Sequence, residues 1–208
     1  MVGKFITIEG SEGSGKTTIS KFLFEYITSL GIKVILTREP GGVPVSEKIR
    51  DIILHEDIDY RTEALLFAAS RREHIVKKIL PHLKQGYIVL CDRFVDSSLA
   101  YQVYGRGLEE KDVVSINDYA TELTKPDKTF YLDVNVDKGL ERIENRQHNN
   151  KMDNEHNEFY VKVKQGYDSI AAKNSDRVIK INANNDIELV KEEIVEKINL
   201  LLKKWNCL

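Results

Sequence analysis

The chain has 208 residues, of which 41% are apolar and 31% charged, with a formal net charge of −2. That composition belongs to a soluble, core-forming protein and lacks the basic excess of a general nucleic-acid binder. No apolar run approaches the ~18 residues of a membrane span. The cysteines, Cys91 and Cys207, are too few for a disulfide framework and suit a reducing, cytoplasmic setting. The length suits one domain spanning residues 1–208. The first residues run directly into a strand, which leaves no room for a signal peptide.

Lys4-Phe5-Ile6-Thr7-Ile8 reads as a buried first strand. Gly10, Ser11, Glu12, Gly13, Ser14, Gly15, Lys16 and Thr17 follow, matching G-x-x-x-x-G-K-[ST]. From Thr18 to Leu30 the apolar residues fall at helical spacing. Strand, glycine loop and helix are the context in which that pattern binds a nucleoside triphosphate. The glycines let the loop turn its N–H groups onto phosphate oxygens at the positive end of a helix. Lys16 then reaches the β- and γ-phosphates, and the Thr17 hydroxyl holds Mg²⁺. A glycine-rich turn followed by a chance Lys-Thr pair would require neither flanking element.

Lys33–Thr37 is a second strand, ending in Arg38-Glu39-Pro40-Gly41-Gly42. Loops at the carboxyl ends of parallel strands line the ligand crevice, so Arg38 and Glu39 face the active-site side; an exposed salt-bridge loop is the plainer alternative. Ser46–Leu54 is an amphipathic helix, and a longer helix runs from about Thr62 to Gln85. Phe67 and Arg71 are one turn apart within it and share a face. A ring and a guanidinium so placed can stack on a base and donate to it; the plain alternative is a core Phe and a surface Arg. His74 is a lone histidine with no role assigned. Tyr87–Cys91 is a near-continuous apolar run, hence a central strand, and it ends in Asp92-Arg93-Phe94. Asp92 stands where a Mg²⁺-organising carboxylate belongs, unless it caps a helix, and Arg93 can clamp an acceptor phosphate. A helix starts at Asp96, with Ser98 and Gln102 one turn apart and able to face a base edge. Glu109–Leu123 is the next helix.

Lys128–Val134 is a fourth strand. Thr124-Lys125-Pro126-Asp127 before it imitates the guanine-reading tetrapeptide of GTPases. That tetrapeptide follows a strand, whereas this one precedes one and reads as a turn. Asp137–Asn145 is helical, with Arg142 and Arg146 on one face. The polar run Gln147–His156 includes Lys151 and reads with its flanks as a mobile lid over about 142–157, whose cations close on the transferring phosphate. Helical spacing resumes at Phe159. Arg177–Ile181 is the fifth strand, and Ile187–Trp205 is a closing helix. Strands alternating with helices predict a three-layer α/β/α fold of the phosphate-loop NTPase type, with a five-stranded parallel sheet.

Taken together these segments resemble thymidylate kinases of the bacterial type over nearly the whole chain. The resemblance rests on Phe5–Gly10 leading into the phosphate loop, Thr37–Gly42, Leu66–Arg71, Asp92-Arg93-Phe94 with Ser97–Gln102, and Pro126-Asp127 before Tyr131-Leu132-Asp133. It implies transfer of the γ-phosphate of ATP to dTMP, giving dTDP on the way to dTTP, with Mg²⁺ held by Thr17 and Asp92. It implies ATP contacts along Gly10–Thr18, Phe67 stacked on thymine, and Arg71, Ser98 and Gln102 reading the base. Arg38, Arg93 and, on the same side, Arg50 lie near the acceptor phosphate; Glu39 and Ser97 join this substrate-binding set. Tyr101 crowds the 2′ side of the sugar, and Glu12 lies near the sugar and phosphate. No arginine occurs in the phosphate loop, so Arg142, Arg146 and Lys151 are the candidate catalytic cations beside Lys16, Arg93 and Glu12. The resemblance also implies a homodimer. Another nucleoside monophosphate kinase and a GTP-binding switch are the alternatives.

Overall fold

The computed structural model describes residues 3–144 and 156–208. Strands β1 (Lys4–Glu9), β2 (Val34–Arg38), β3 (Ile88–Asp92), β4 (Lys128–Asp133) and β5 (Val178–Asn182) form a parallel sheet ordered β2-β3-β1-β4-β5. Parallel strands are covered on both faces, and the period-two alternation sorts their side chains. Ile6, Ile8, Ile88 and Leu90 pack with α1 (Lys16–Ser29) and α9 (Ile187–Lys204). Phe5, Val89 and Cys91 point the other way, onto Ile75, Ile79 and Phe94. Each fully buried Ile or Leu contributes about 1.5–3 kcal/mol, so a slip of one residue in any central strand would turn both cores inside out. At the middle of the sheet the hydroxyls of Thr7 and Thr129 satisfy each other at 2.7 Å.

The other helices are α2 (Pro44–His55), α3 (Tyr60–His74), α4 (Leu80–Lys84), the single turn α5 (Val95–Ser98), α6 (Glu110–Thr121), α7 (Val136–Glu144) and α8 (Asn157–Lys173). Asp59 caps α3 by accepting from the N–H groups of Arg61 and Thr62, so the helix starts slightly earlier than its apolar spacing suggests. The expected helix to Gln85 is divided by a π-helical turn at Ile75–Ile79. Pro81 has no N–H to offer the carbonyl of Lys77, and a wider turn accommodates its ring. A second π-helical stretch, Leu99–Gly105, continues α5. It packs on α8 where Gly166 comes so close that an added Cβ would lie 3.0 Å from the Ala100 Cα.

The register brings Glu9, Arg38, Asp92 and Asp133 to one edge of the sheet: Arg38 lies opposite Asp92, and Ile8, just before Glu9, lies on the other side of Asp92. The chain leaves β1 at that edge for α1 and crosses to β2, whereas from the neighbouring β3 it crosses the opposite way to β4. That is where open α/β sheets hold ligands.

Candidate active site

The glycine loop is shaped by left-handed backbone angles and one close approach. Gly13 (φ 71°) and Gly15 (φ 89°) take left-handed angles, and a Cβ on Gly13 would sit 2.1 Å from the carbonyl oxygen of Gly139 in α7. Only glycine closes that gap. Lys16 is buried beneath the loop, where Nζ donates to Ser11 O at 2.8 Å and to Ser14 Oγ at 3.4 Å. Burial, reinforced by the Arg93 cation, lowers its pKa to about 8. Thr17 Oγ1 donates to Asp92 Oδ2 at 3.0 Å. A hydroxyl and a carboxylate at that spacing, beside a phosphate loop, fit Mg²⁺, which takes one or two carboxylates together with phosphate oxygens and water.

Beside the loop lies a cleft with an apolar wall and a few convergent polar and charged side chains, the make-up of a small-ligand site. Phe67, Leu54 and Pro40 supply its apolar wall, and Arg71, Ser98 and Gln102 its polar floor. Arg71 is 2% exposed and held from every side. Nε donates to Glu39 Oε2 at 2.6 Å, Nη1 to Ser98 Oγ at 3.0 Å and to Asn117 Oδ1, and Nη2 to Phe94 O at 3.0 Å. A guanidinium has five N–H groups; with these four engaged, one on Nη2 is left for a ligand among the described residues. Glu39 is fixed in turn by His74, whose Nδ1 donates to Oε1 at 3.0 Å while Nε2 pairs with the Thr37 hydroxyl at 2.7 Å. Burial alone would raise the pKa of Glu39, but Arg71 and His74 outweigh it and hold the carboxyl below its ordinary value. His74, which the sequence left without a role, is thus a buried strut behind Arg71.

A second cleft runs along the loop past Lys16, Thr17, Thr18, Arg38 and Asp92. Glu12, Glu39, Arg50 and Arg93 border both clefts. Arg93 is the central one. Its φ is 70°, which turns the side chain into the seam. It pairs with Glu12, donates to Gly10 O at 3.4 Å and Ser97 Oγ at 3.3 Å, and lies over the Tyr101 ring at 5.0 Å. Arg38 and Arg50 both donate to Pro40 O, at 2.7 and 3.1 Å, and Arg38 also pairs with Glu47. Burial, together with Arg38, lowers the Arg50 pKa, so an anion arriving there relieves a repulsion.

Sequence reasoning missed Glu9. Fully buried at the end of β1, it accepts from Phe94 N–H and Ser97 Oγ, both at 2.6 Å, and from Tyr167 OH at 3.2 Å. Burial, then the nearby Asp96 charge, raises its pKa from 4.5 to about 7. A raised carboxyl pKa favours the fold below the unfolded value, and that stability is lost as pH rises through about 7. Glu9→Gln therefore has a higher melting temperature than the parent at pH 8, with the gap closing toward pH 5. Thermal melts across that range read it directly, and a gap independent of pH would contradict the raised pKa.

Arg142 leaves this seam alone. It donates to Gly13 O at 3.1 Å and Ala183 O at 3.2 Å, and borders a third cleft with Gly15, Thr18, Asn185 and Ile187 on the far side of the loop. Arg146 and Lys151 lie outside the described residues.

Residues 8–194 match the family model described as thymidylate kinase. A thymidylate kinase of Clostridium novyi is 48% identical over 197 residues, covering 92% of this chain and 96% of its own. One from Staphylococcus epidermidis is 49% identical over 201 residues, covering 96% and 98%. The crystal structure of thymidylate kinase from Ehrlichia chaffeensis superposes with a TM-score of 0.80 at 37% identity, covering 95% of this chain and all of that one.

Proposed function

The chain belongs to the thymidylate kinase family, and on that premise we propose how its clefts divide the phosphorylation of dTMP to dTDP by ATP. The apolar-walled cleft takes dTMP, the loop cleft takes the triphosphate, and the third cleft, beside Arg142 and Asn185, takes the donor base. The observation that carries this reading is the shared wall. Glu12, Glu39, Arg50 and Arg93 border both clefts, so an acceptor phosphate in one meets a donor phosphate in the other.

Phosphoryl transfer asks the protein mainly to align two anions and to neutralise charge in a loose transition state. Lys16 serves the donor phosphates. Arg38, Arg50 and Arg93 hold the acceptor phosphate in line, with Arg93 nearest the transfer path. Glu12 orients the sugar and Tyr101 closes its 2′ side. Phe67 stacks on the base, while Arg71 donates to a base carbonyl. Thr17 and Asp92 would hold Mg²⁺, which would offset the negative charge of the donor phosphates. The 142–157 segment adds Arg146 and Lys151 as further cations for the transferred group.

A coupled ADP-release assay with ATP and Mg²⁺, offering dTMP, dUMP, dCMP, dGMP, dAMP and thymidine in parallel, tests the assignment. Strong turnover with dTMP, weaker with dUMP and none with thymidine is expected. Preference for a purine, or equal turnover with no acceptor, would overturn it.

We further propose a homodimer formed through α2, α3 and α6. These helices pack side by side and leave Ile52, Leu65 and Tyr119 exposed, the last at 89%. Sedimentation at micromolar concentration is expected to give a dimer; a monomer alone would refute it. Both cysteines are free thiols, which supports a reducing, cytoplasmic setting. Among the described residues no helix is long and apolar enough to cross a membrane.

A further inference from the structure

Glu63, Phe67 and Arg71 follow one another at four-residue steps along α3, so their side chains form one stripe. Phe67 and Arg71 border the acceptor cleft; Glu63 does not. Yet Glu63 is 1% exposed, and a carboxylate so deeply buried calls for partners of matching charge and hydrogen bonding. It has both. Oε1 accepts from Gln102 Nε2 at 3.0 Å. Arg106 Nε lies 3.8 Å from the same oxygen, and its guanidinium is clasped between the rings of Tyr60 (4.6 Å) and Phe159 (4.5 Å).

We infer that Glu63 is a positioning residue that sets base choice through Gln102. A carboxylate only accepts hydrogen bonds. The Gln102 amide must therefore turn its nitrogen to Glu63, and its carbonyl oxygen goes to the cleft that Gln102 borders. Flipping the amide would set two acceptors against each other in a dry site. The cleft then presents an acceptor from Gln102 and a donor from Arg71. Thymine and uracil offer the complement, an N3–H beside the O4 carbonyl. Cytosine offers an N3 lone pair and an amino group, mismatched at both positions. This inference rests on the acceptor-site reading given above.

The test is Glu63→Gln, assayed with ATP against dTMP and against dCMP. The new amide can accept or donate, so Gln102 is free to turn either way. The ratio of kcat/KM for dTMP over dCMP is expected to fall about tenfold or more. The KM for dTMP should rise more than kcat falls, and the KM for ATP should stay within about twofold of the parent. In a Gln102→Ala background the same substitution should leave the ratio unchanged. If Glu63→Gln does not fold, Glu63→Asp enters the same cycle with a smaller expected fall. A ratio that holds, an equal loss on both substrates, or an effect that persists without Gln102 would each overturn the inference and leave the acceptor-site reading intact. A parent enzyme indifferent between dTMP and dCMP would remove that reading, and this inference with it.

Discussion

Replacing Lys16 with alanine lowers kcat at least about 10³-fold, the scale set by removing a cation from a phosphoryl-transfer site. Nζ is not idle in the free protein. It is tied to Ser11 O and Ser14 Oγ, neutral acceptors that an incoming phosphate replaces with charged ones. Burial and Arg93 hold its pKa near 8, so kcat/KM for ATP falls as pH rises through about 8 and the free enzyme loses this proton. Bound phosphates raise the pKa again, which leaves kcat at saturating ATP flatter over the same range. Stability moves the other way. A lysine whose pKa is lowered by folding opposes the fold wherever it is charged, below about 8, and stops opposing it above the unfolded value of 10.5. Lys16→Ala should therefore melt at or above the parent temperature at pH 7 while being catalytically dead. Steady-state rates with saturating substrates and thermal melts on one preparation test both halves. A variant within tenfold of the parent rate would remove Lys16 from the donor site. A variant that is merely unfolded would show the melt failing together with the rate.

What the sequence disclosed, and what it hid, follows from the range of the interactions. The five strands and the glycine loop are local patterns: alternation in Phe5–Ile8, a continuous apolar run in Ile88–Cys91, glycines at fixed offsets before Lys16. Phe67 and Arg71 were legible as a pair because four-residue spacing puts them on one face. Glu63 stands on the same stripe but reads in sequence like any acid in the first turn of a helix. Only the fold brings it Gln102, from the Leu99–Gly105 stretch, and Arg106 just after that stretch. His74 and Glu9 were hidden for the same reason: their partners come from β2 and the following turn, or from Phe94, Ser97 and Tyr167, far away along the chain. The π-helical turns were invisible because apolar spacing reports a face, and one wider turn shifts that face by less than the spacing resolves. Arg142 shows the limit of argument from charge. Its sequence neighbourhood suggested a cation for the transferred group, and only the fold shows that its guanidinium also donates to the carbonyls of Gly13 and Ala183.

Arg93 supplies the second large expected effect. Arg93→Ala should lower kcat on the order of 10³-fold, with a smaller rise in the KM for ATP, because its guanidinium stands at the wall common to both clefts. A non-glycine residue at φ 70° costs about 1–3 kcal/mol of backbone strain. The fold supports that strain with the Arg93 N–H donating to Ile8 O at 3.0 Å and the next N–H, of Phe94, donating to Glu9 at 2.6 Å. The turn thus directs Arg93 inward at the carboxyl edge of the sheet, where Glu12 balances its charge before substrate arrives. Strain and charge separate in a pair of variants. Arg93→Gly removes the side chain and also relieves the backbone, so it should be more stable than Arg93→Ala. If the guanidinium is what matters, both variants lose the same factor in kcat despite that difference in stability. Arg93→Lys keeps the charge without the fork and should fall between them and the parent. If activity instead followed the melting temperature, with the glycine variant recovering rate, Arg93 would be a structural residue of the turn. The transition-state charge would then rest on Lys16, Arg38 and Arg50 among the described cations that border the loop cleft.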